Sequence, residues 1–136
     1  MISQPARQAA LAHYGEIARL GKALASPVRL QLIDLLRQGP RTVEDLVDAA
    51  GLPLANGSRH LQQLRAARLV ECGREGRFVR YRLTDAGVSA AFSALRGLAE
   101  ALLPEMDRLG RSLGVLPAGE RAEVLVELEP GQTAML

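Results

Sequence analysis

The sequence has 136 residues, 17 of them basic and 15 acidic, a net charge of +2 and a single cysteine. This length fits one domain of roughly 100–200 residues, and a lone cysteine excludes a disulfide framework within the chain. The apolar share of 48% includes two Tyr, two Phe and no Trp, which favours helices packed through Leu, Ala and Val. The N-terminus does not resemble a signal peptide, and no apolar run reaches about 18 residues, so we predict a cytoplasmic protein that makes no membrane contact.

Two helices are predicted before the first turn. Apolar residues recur at intervals of three and four from about residue 4 to residue 25, a spacing typical of an amphipathic helix. Ser26 and Pro27 then end this helix and cap the next one. Apolar residues cover so much of the second helix that we predict it to be the buried centre of the domain, ending at Gly39 and Pro40.

Residues 42–83 have the pattern of a winged helix-turn-helix. Thr42 is suited to cap a short helix with Asp45 three positions later, and Gly51 supplies the tight turn. Pro53 then starts a second helix, where its missing N–H costs little. We name this second helix the recognition helix. The fold class predicted for the chain is therefore mainly α with a β-hairpin wing.

The recognition helix has one apolar and one polar face. Gly57, Leu61 and Leu64 follow helical spacing and are predicted to pack inward. The opposite face carries amide, hydroxyl and guanidinium groups, which suit base edges in the major groove of DNA. The side chains predicted there to contact DNA are Asn56, Ser58, Arg59, Gln62 and Gln63.

A basic hairpin is predicted to follow the recognition helix. Residues 69–72 and 78–83 alternate around residues 73–76, which predicts two strands whose connecting tip presents Arg74 and Arg77. From Leu54 to Arg82 there are seven Arg and two Glu, a local charge of +5 that the flanking segments do not share. Such a basic face is suited to neutralising DNA phosphates, so double-stranded DNA is the predicted partner.

The last helix is predicted to mediate dimerisation. Thr84 and Asp85 cap it, apolar residues follow a spacing close to that of a coiled coil up to Leu113, and Pro104 should kink or split it. About 28 helical residues at 1.5 Å each span about 42 Å, more than a small domain covers. We therefore predict a homodimer joined through its terminal helices, with an interface that includes Leu11, Tyr14, Phe92, Leu95, Leu102, Met106 and Leu109.

Three runs of the sequence resemble the ArsR/SmtB family of transcriptional repressors. They are LASPVRL at 24–30, SRHLQQL at 58–64 and GRFVRYRL at 76–83. The resemblance implies a dimeric winged helix, binding to a palindromic operator and release by an inducer. The family often has His at the position of His60. The resemblance therefore implies that His60, on the DNA-binding face, either packs or contacts a phosphate.

The resemblance divides the chain into two parts. Residues 1–115 are predicted to form the DNA-binding and dimerisation domain. The chain is most similar to the family members in which a rhodanese-like sulfurtransferase domain follows the repressor domain. Residues 116–136 resemble the start of such a domain, which is expected to be absent here.

The metal sites of the family lack their ligands in this sequence. One family site uses Cys-x-Cys on the helix before the recognition helix, which here is VEDLVDAA, and the other uses imidazoles on the last helix, which here has no His. We therefore predict no metal and no cofactor. The inducer is left unidentified, with small-molecule and sulfur or redox effectors both open. Cys72 is the candidate redox group, although packing at the base of the wing is the simpler interpretation.

Two other functions compete with repression. A winged helix can bind protein instead of DNA, but the local charge of +5 favours DNA. A sulfurtransferase remnant would need a nucleophilic cysteine in a loop that cradles an anion, and Cys72 lies in a predicted strand. We therefore predict a repressor that is not an enzyme and has no catalytic residues.

Overall fold

The computed structural model describes residues 1–112. This part of the chain is mainly helical with a β-hairpin, as predicted, and none of its helices combines the length and apolarity that crossing a membrane requires. The predicted tail at 116–136 and Leu113 lie outside the described residues. In chain order the elements are α1 Gln4–Leu24, α2 Pro27–Leu36, β1 Arg41–Thr42, α3 Val43–Ala50, α4 Leu54–Ala66, β2 Val70–Glu75, β3 Phe78–Leu83, α5 Ala86–Leu102 and α6 Glu105–Ser112.

Side-chain caps start three of the helices where the sequence predicts. Ser26 Oγ accepts a hydrogen bond from the Arg29 amide at 3.3 Å, and Thr42 Oγ1 accepts one from the Asp45 amide at 3.1 Å. Asp85 caps α5 in the same way through a 2.6 Å bond from the Gly87 amide. Each cap satisfies an amide that the first helical turn leaves without a partner.

The core lies where α2, α3 and α4 meet the base of the wing. Helix α2 is central, as predicted, with four of its ten residues buried. Helix α4 contributes its apolar face, so its polar face is left for solvent. The largest fully buried side chains are Leu32, Ile33, Leu46, Leu61, Leu64 and Val70.

Helices α3 and α4 come very close together at Gly57. A Cβ atom added at Gly57 would lie 2.2 Å from Cγ1 of Val47 on α3, a separation that real Cβ atoms do not show. An alanine inside a helix is more stable than glycine by roughly 0.5–1 kcal/mol, so a glycine at this buried position needs another reason. The close approach of α3 provides that reason.

We expect Gly57→Ala to lower the free energy of unfolding. Overpacking a core costs about 1–3 kcal/mol, which exceeds the gain in helix propensity. Urea denaturation of both proteins measures the difference. In a Val47→Ala background the obstructing methyl is absent, so the same glycine substitution should become neutral or stabilising. An equal loss in the two backgrounds would contradict the close-packing explanation.

The wing belongs to a three-stranded antiparallel sheet with strand order β1-β3-β2, where the sequence predicted two strands. Its tip also differs from the prediction. Gly76 and Arg77 form the two-residue loop, while Arg74 lies within β2, opposite Val79. Gly76 has φ of +61°, and two-residue hairpin loops need a positive φ at this position. Gly73 is paired inside the strand, so the prediction of Arg74 at the tip was wrong.

Helix α5 ends where Pro104 was predicted to interrupt it. It stops at Leu102, and α6 begins at Glu105. Proline removes a helical hydrogen bond and clashes with the preceding turn, which accounts for the break. Helix α1 extends away from the core, and of its residues only Ala23 is buried.

Candidate nucleic-acid interface

The polar face of α4 presents the side chains predicted to read DNA. Three of them, Arg59, Gln62 and Gln63, are exposed, while Asn56, Ser58 and His60 are half-buried. Arg59 donates a hydrogen bond from Nη2 to Oδ1 of Asn56 at 3.0 Å, one helical turn earlier. Guanidinium and amide groups in this arrangement can bond to base edges in the major groove.

The wing holds one glutamine of this face. Gln62 donates from Nε2 to the hydroxyl of Tyr81 on β3 at 3.2 Å. Burial raises the pKa of Tyr81, the neighbouring Cys72 adds to this effect, and Arg65 opposes it. The phenol therefore stays protonated at neutral pH and remains a stable partner for the amide.

The scaffold holds the other glutamine through Arg29 of α2. Arg29 donates from Nη1 to Oε1 of Gln63 at 2.5 Å, and the same nitrogen lies 3.3 Å from Nδ1 of His60. No role for Arg29 follows from the sequence pattern, although it is the arginine of the LASPVRL run. Its partners on α4 are distant in sequence, so local spacing could not reveal them.

The environment of His60 favours the neutral imidazole. Burial lowers its pKa below the ordinary 6.5, and Arg59 and Arg29 shift it in the same direction. Because a guanidinium only donates hydrogen bonds, Nδ1 can bond to Arg29 only while it carries no proton. The unfolded chain takes up a proton at higher pH than the folded one. His60 therefore costs no stability above its unfolded pKa and lowers stability as pH falls below it.

We expect the free energy of unfolding to decrease between about pH 7.5 and pH 5.5 through this effect. His60→Gln should reduce the decrease. The matched control is His13→Gln, because His13 is the other histidine of the chain and is exposed on α1. Urea denaturation at both pH values in the three proteins measures this. An undiminished pH dependence in His60→Gln would show that His60 is not its source.

The arginines of the wing fall into two groups. Two pair with carboxylates of the same sheet, Arg80 with Glu75 at 2.9 Å and Arg82 with Glu71 at 3.3 Å. Arg74 and Arg77 are exposed and form no ion pair within residues 1–112. The guanidinium of Arg77 lies 5.9 Å from the ring centre of Phe78. The charges free to meet phosphates are therefore concentrated at and near the hairpin tip.

A second surface, on the terminal helices, is apolar. Five of the seven residues predicted at the dimer interface are large, exposed apolar side chains in the structure: Leu11, Tyr14, Leu95, Leu102 and Leu109. Leu98, which was not predicted, is 55% exposed and lies between Leu95 and Leu102 on the same stripe of α5. Met106 is half-buried. Several large apolar side chains exposed along one helix face, as on α5, are typical of a contact region.

Phe92 does not belong to this exposed surface, contrary to the prediction. It is 7% exposed and lies in the core of its own domain. The guanidinium groups of Arg37 and Arg96 lie 5.0 Å and 4.4 Å from its ring centre. The side of α5 that carries Phe92 faces α2, so the stripe predicted as one seam is divided between the core and the exposed face.

Cys72 is a free, half-buried thiol on β2, and it packs against the core directly opposite Tyr81. A strand offers no loop of converging amides around the thiol, which an anion-cradling cysteine site requires. Among the described residues, His, Cys, Asp and Glu side chains form no group of three or more that could hold a metal ion.

Comparisons with known proteins agree on a helix-turn-helix. Residues 24–73 match a family model described as a helix-turn-helix domain. The chain is 37% identical over 141 residues to the HTH-type transcriptional regulator Rv0324 of Mycobacterium tuberculosis, an alignment that covers all of this chain and 60% of that protein. It is 46% identical over 71 residues to the HTH-type transcriptional repressor SmtB of the same species, covering 52% of this chain and 50% of SmtB. The chain thus spans 50–60% of the length of these relatives.

A solved structure of a winged helix-turn-helix domain is also similar to this chain. It is the solution structure of the homodimeric winged helix-turn-helix DNA-binding domain of Mb0332 from Mycobacterium bovis, described as a possible ArsR-family transcriptional regulator. The two chains are 42% identical, with a TM-score of 0.66, over 76% of this chain and 94% of that one.

Proposed function

This chain belongs to the ArsR/SmtB family of helix-turn-helix regulators, and from this membership we propose that it is a cytoplasmic, homodimeric repressor of transcription that binds double-stranded operator DNA. The observation that carries the proposal is the arrangement of α4 and the wing. The apolar side of α4 is buried, its polar side is accessible, and the hairpin beside it carries Arg74 and Arg77 without ion-pair partners among residues 1–112. In winged DNA-binding domains, a helix that contacts base edges lies next to cations that contact phosphates.

The exposed apolar surfaces of α1 and α5 support the dimer. The Mb0332 domain, which is similar over most of its length, is described as homodimeric. A two-fold dimer presents two recognition helices, so we propose an operator of two symmetric half-sites with centres about 34–36 Å apart or a multiple of that distance.

The inducer is proposed to be something other than a classical transition metal. Sensor sites for Zn²⁺ or Ni²⁺ are built from imidazole and thiolate, and this chain has two histidines and one cysteine. His13 lies on α1, and Cys72 lies on β2. His60 lies on α4, where Arg29 of α2 contacts its ring at 3.3 Å. We propose Cys72 as the group that would respond to a sulfur or redox signal, because its partner Tyr81 contacts Gln62 of the recognition helix.

Neither competing function gains support from the site. The family consists of DNA-binding regulators rather than enzymes, and the position of Cys72 in a strand disfavours a sulfurtransferase remnant. Unpaired cations beside a polar helix face favour a partner as highly charged as the DNA backbone over a protein surface.

A gel-shift assay tests the proposed function. The probe is the DNA upstream of the gene for this chain, and the control is a scrambled duplex of equal length and composition at the same salt concentration. We expect binding to the natural duplex to be tighter by at least about 10³-fold. Equal binding to both duplexes would reject sequence-specific repression.

The same assay tests the inducer. Zn²⁺, Ni²⁺ and Cd²⁺ should leave the shift unchanged, and a metal response would reject the proposal of a signal other than metal. Peroxide and polysulfide are then titrated against the natural protein and Cys72→Ser. A response present only in the natural protein would support Cys72 as the sensing group. A response in both proteins, or in neither, would reject that role.

A further inference from the structure

One guanidinium joins the end of α1 to the polar face of the recognition helix. Arg29 donates from Nε to the carbonyl oxygen of Ala23 at 2.5 Å and from Nη2 to that of Lys22 at 3.1 Å. Its remaining nitrogen, Nη1, faces Gln63 at 2.5 Å and His60 at 3.3 Å. All three nitrogens of the group are therefore used, two toward α1 and one toward α4.

The two sides of this bridge are chemically well matched. The last carbonyls of a helix lack helical donors and carry partial negative charge, so a cation with several N–H groups stabilises them. Helix α1 otherwise contacts the core little, since only Ala23 of its residues is buried. The planar, rigid fork of arginine can bond to these carbonyls and to an amide on the opposite side at the same time.

We propose that Arg29 is a positioning residue for DNA recognition, which fixes Gln63 and His60 of α4 relative to the end of α1. This inference rests on the proposed function, because it requires α4 to read DNA and α1 to take part in the dimer. It adds that the orientation of the polar face of α4 depends on the position of α1, through the side chain of Arg29. A shift of α1 relative to the other subunit of the dimer would then move Gln63 before the rest of α4.

A different role for Arg29 would be a direct contact to a DNA phosphate. The two roles depend on different properties of the side chain. A phosphate contact needs mainly the positive charge, which lysine keeps, whereas the bridge needs the fork, which lysine lacks. A lost phosphate contact also lowers the slope of log affinity against log salt by about one unit.

The test measures operator and scrambled-duplex affinities over a salt series for two variants. Arg29→Lys is expected to lower the operator affinity roughly tenfold while binding to scrambled DNA stays unchanged. Arg29→Gln, whose amide can still donate to one carbonyl of α1, should cause a similar loss without changing the salt slope. Wild-type selectivity in Arg29→Lys, or a slope lower by about one unit in Arg29→Gln, would overturn the inference.

A double-mutant cycle with Gln63→Ala isolates the bridge. If Arg29 acts by holding Gln63 and His60, the loss of operator affinity in the Arg29→Lys, Gln63→Ala double variant should be smaller than the product of the losses in the two single variants. Independent sites would instead multiply their losses, which would also overturn the inference.

Arg37→Lys is the matched control for stability. Arg37 is a half-buried arginine just after α2 that donates hydrogen bonds to Ser89 and Ser93 of α5, and it does not contact Gln63 or His60. The Arg37→Lys protein should be less stable in urea but should keep its selectivity among duplexes. An equal loss of selectivity in this control would overturn the inference. If the natural protein does not discriminate between duplexes, the proposed function itself has failed, which is a distinguishable result.

Discussion

Replacing Arg59 by alanine is expected to remove the preference of this protein for its operator, whereas Arg77→Ala should weaken binding to all DNA sequences alike. Arg59 is exposed on the recognition helix and is held by Asn56, in a position to form the paired hydrogen bonds by which arginine reads guanine. A good pair of this kind contributes about 1–3 kcal/mol of discrimination in each half-site. Arg77 is at the hairpin tip, where the nearest DNA groups would be phosphates.

Affinities for operator and scrambled duplexes over a salt series separate these two roles. Arg77→Ala should lower the salt slope by about one unit, and Arg59→Ala should remove most of the difference between the two duplexes. Arg82→Ala is a useful comparison, because Arg82 already pairs with Glu71 and should contribute less to phosphate binding. The assignment of roles would be wrong if the Arg59 and Arg77 variants lost discrimination equally.

Leu98→Asp is expected to separate the proposed dimer and to lower operator affinity by at least about 100-fold at concentrations where the natural protein is dimeric. Leu98 is at the centre of the exposed stripe on α5. A carboxylate buried there would have to give up its hydration, and two-fold symmetry would place two such charges in one interface. A single domain would then engage only one half-site.

Sedimentation at micromolar concentration measures the first effect, and the gel shift measures the second. Ile2→Asp is the control, since Ile2 is 67% exposed but precedes α1. This variant should stay dimeric and bind normally. If the Leu98→Asp protein remained a dimer, the dimer interface would not include this face of α5.

The features that the sequence predicted correctly depend on neighbours along the chain. Ser26 and Thr42 cap helices because their hydroxyls reach amides three residues later, and Pro104 breaks a helix by its own ring. Spacing predicts that Gly57 packs inward but not which residue it meets, because that residue is Val47, on another helix.

The features that sequence spacing could not settle depend on contacts between distant segments. Both Gly73 and Gly76 are able to form a hairpin tip, and the pairing of Tyr81 with Cys72 sets the register that selects Gly76. Phe92 and Leu98 share one apolar helix, yet only the position of α2 decides that Phe92 is inside. Arg29 gave no periodic signal, since its partners lie on two other helices.

The short strand β1 has a consequence for the way the domain folds and opens. Arg41 pairs with Tyr81, and α3 and α4 lie between these two residues in the sequence. Joining such distant segments costs chain entropy, which the packing of the enclosed helices and the pairing of β3 with β2 help to offset. The recognition helix and the strand that supports the wing should therefore form a single cooperative unit, in which neither loosens without the other. A domain built this way would present its two DNA-binding elements together or present neither.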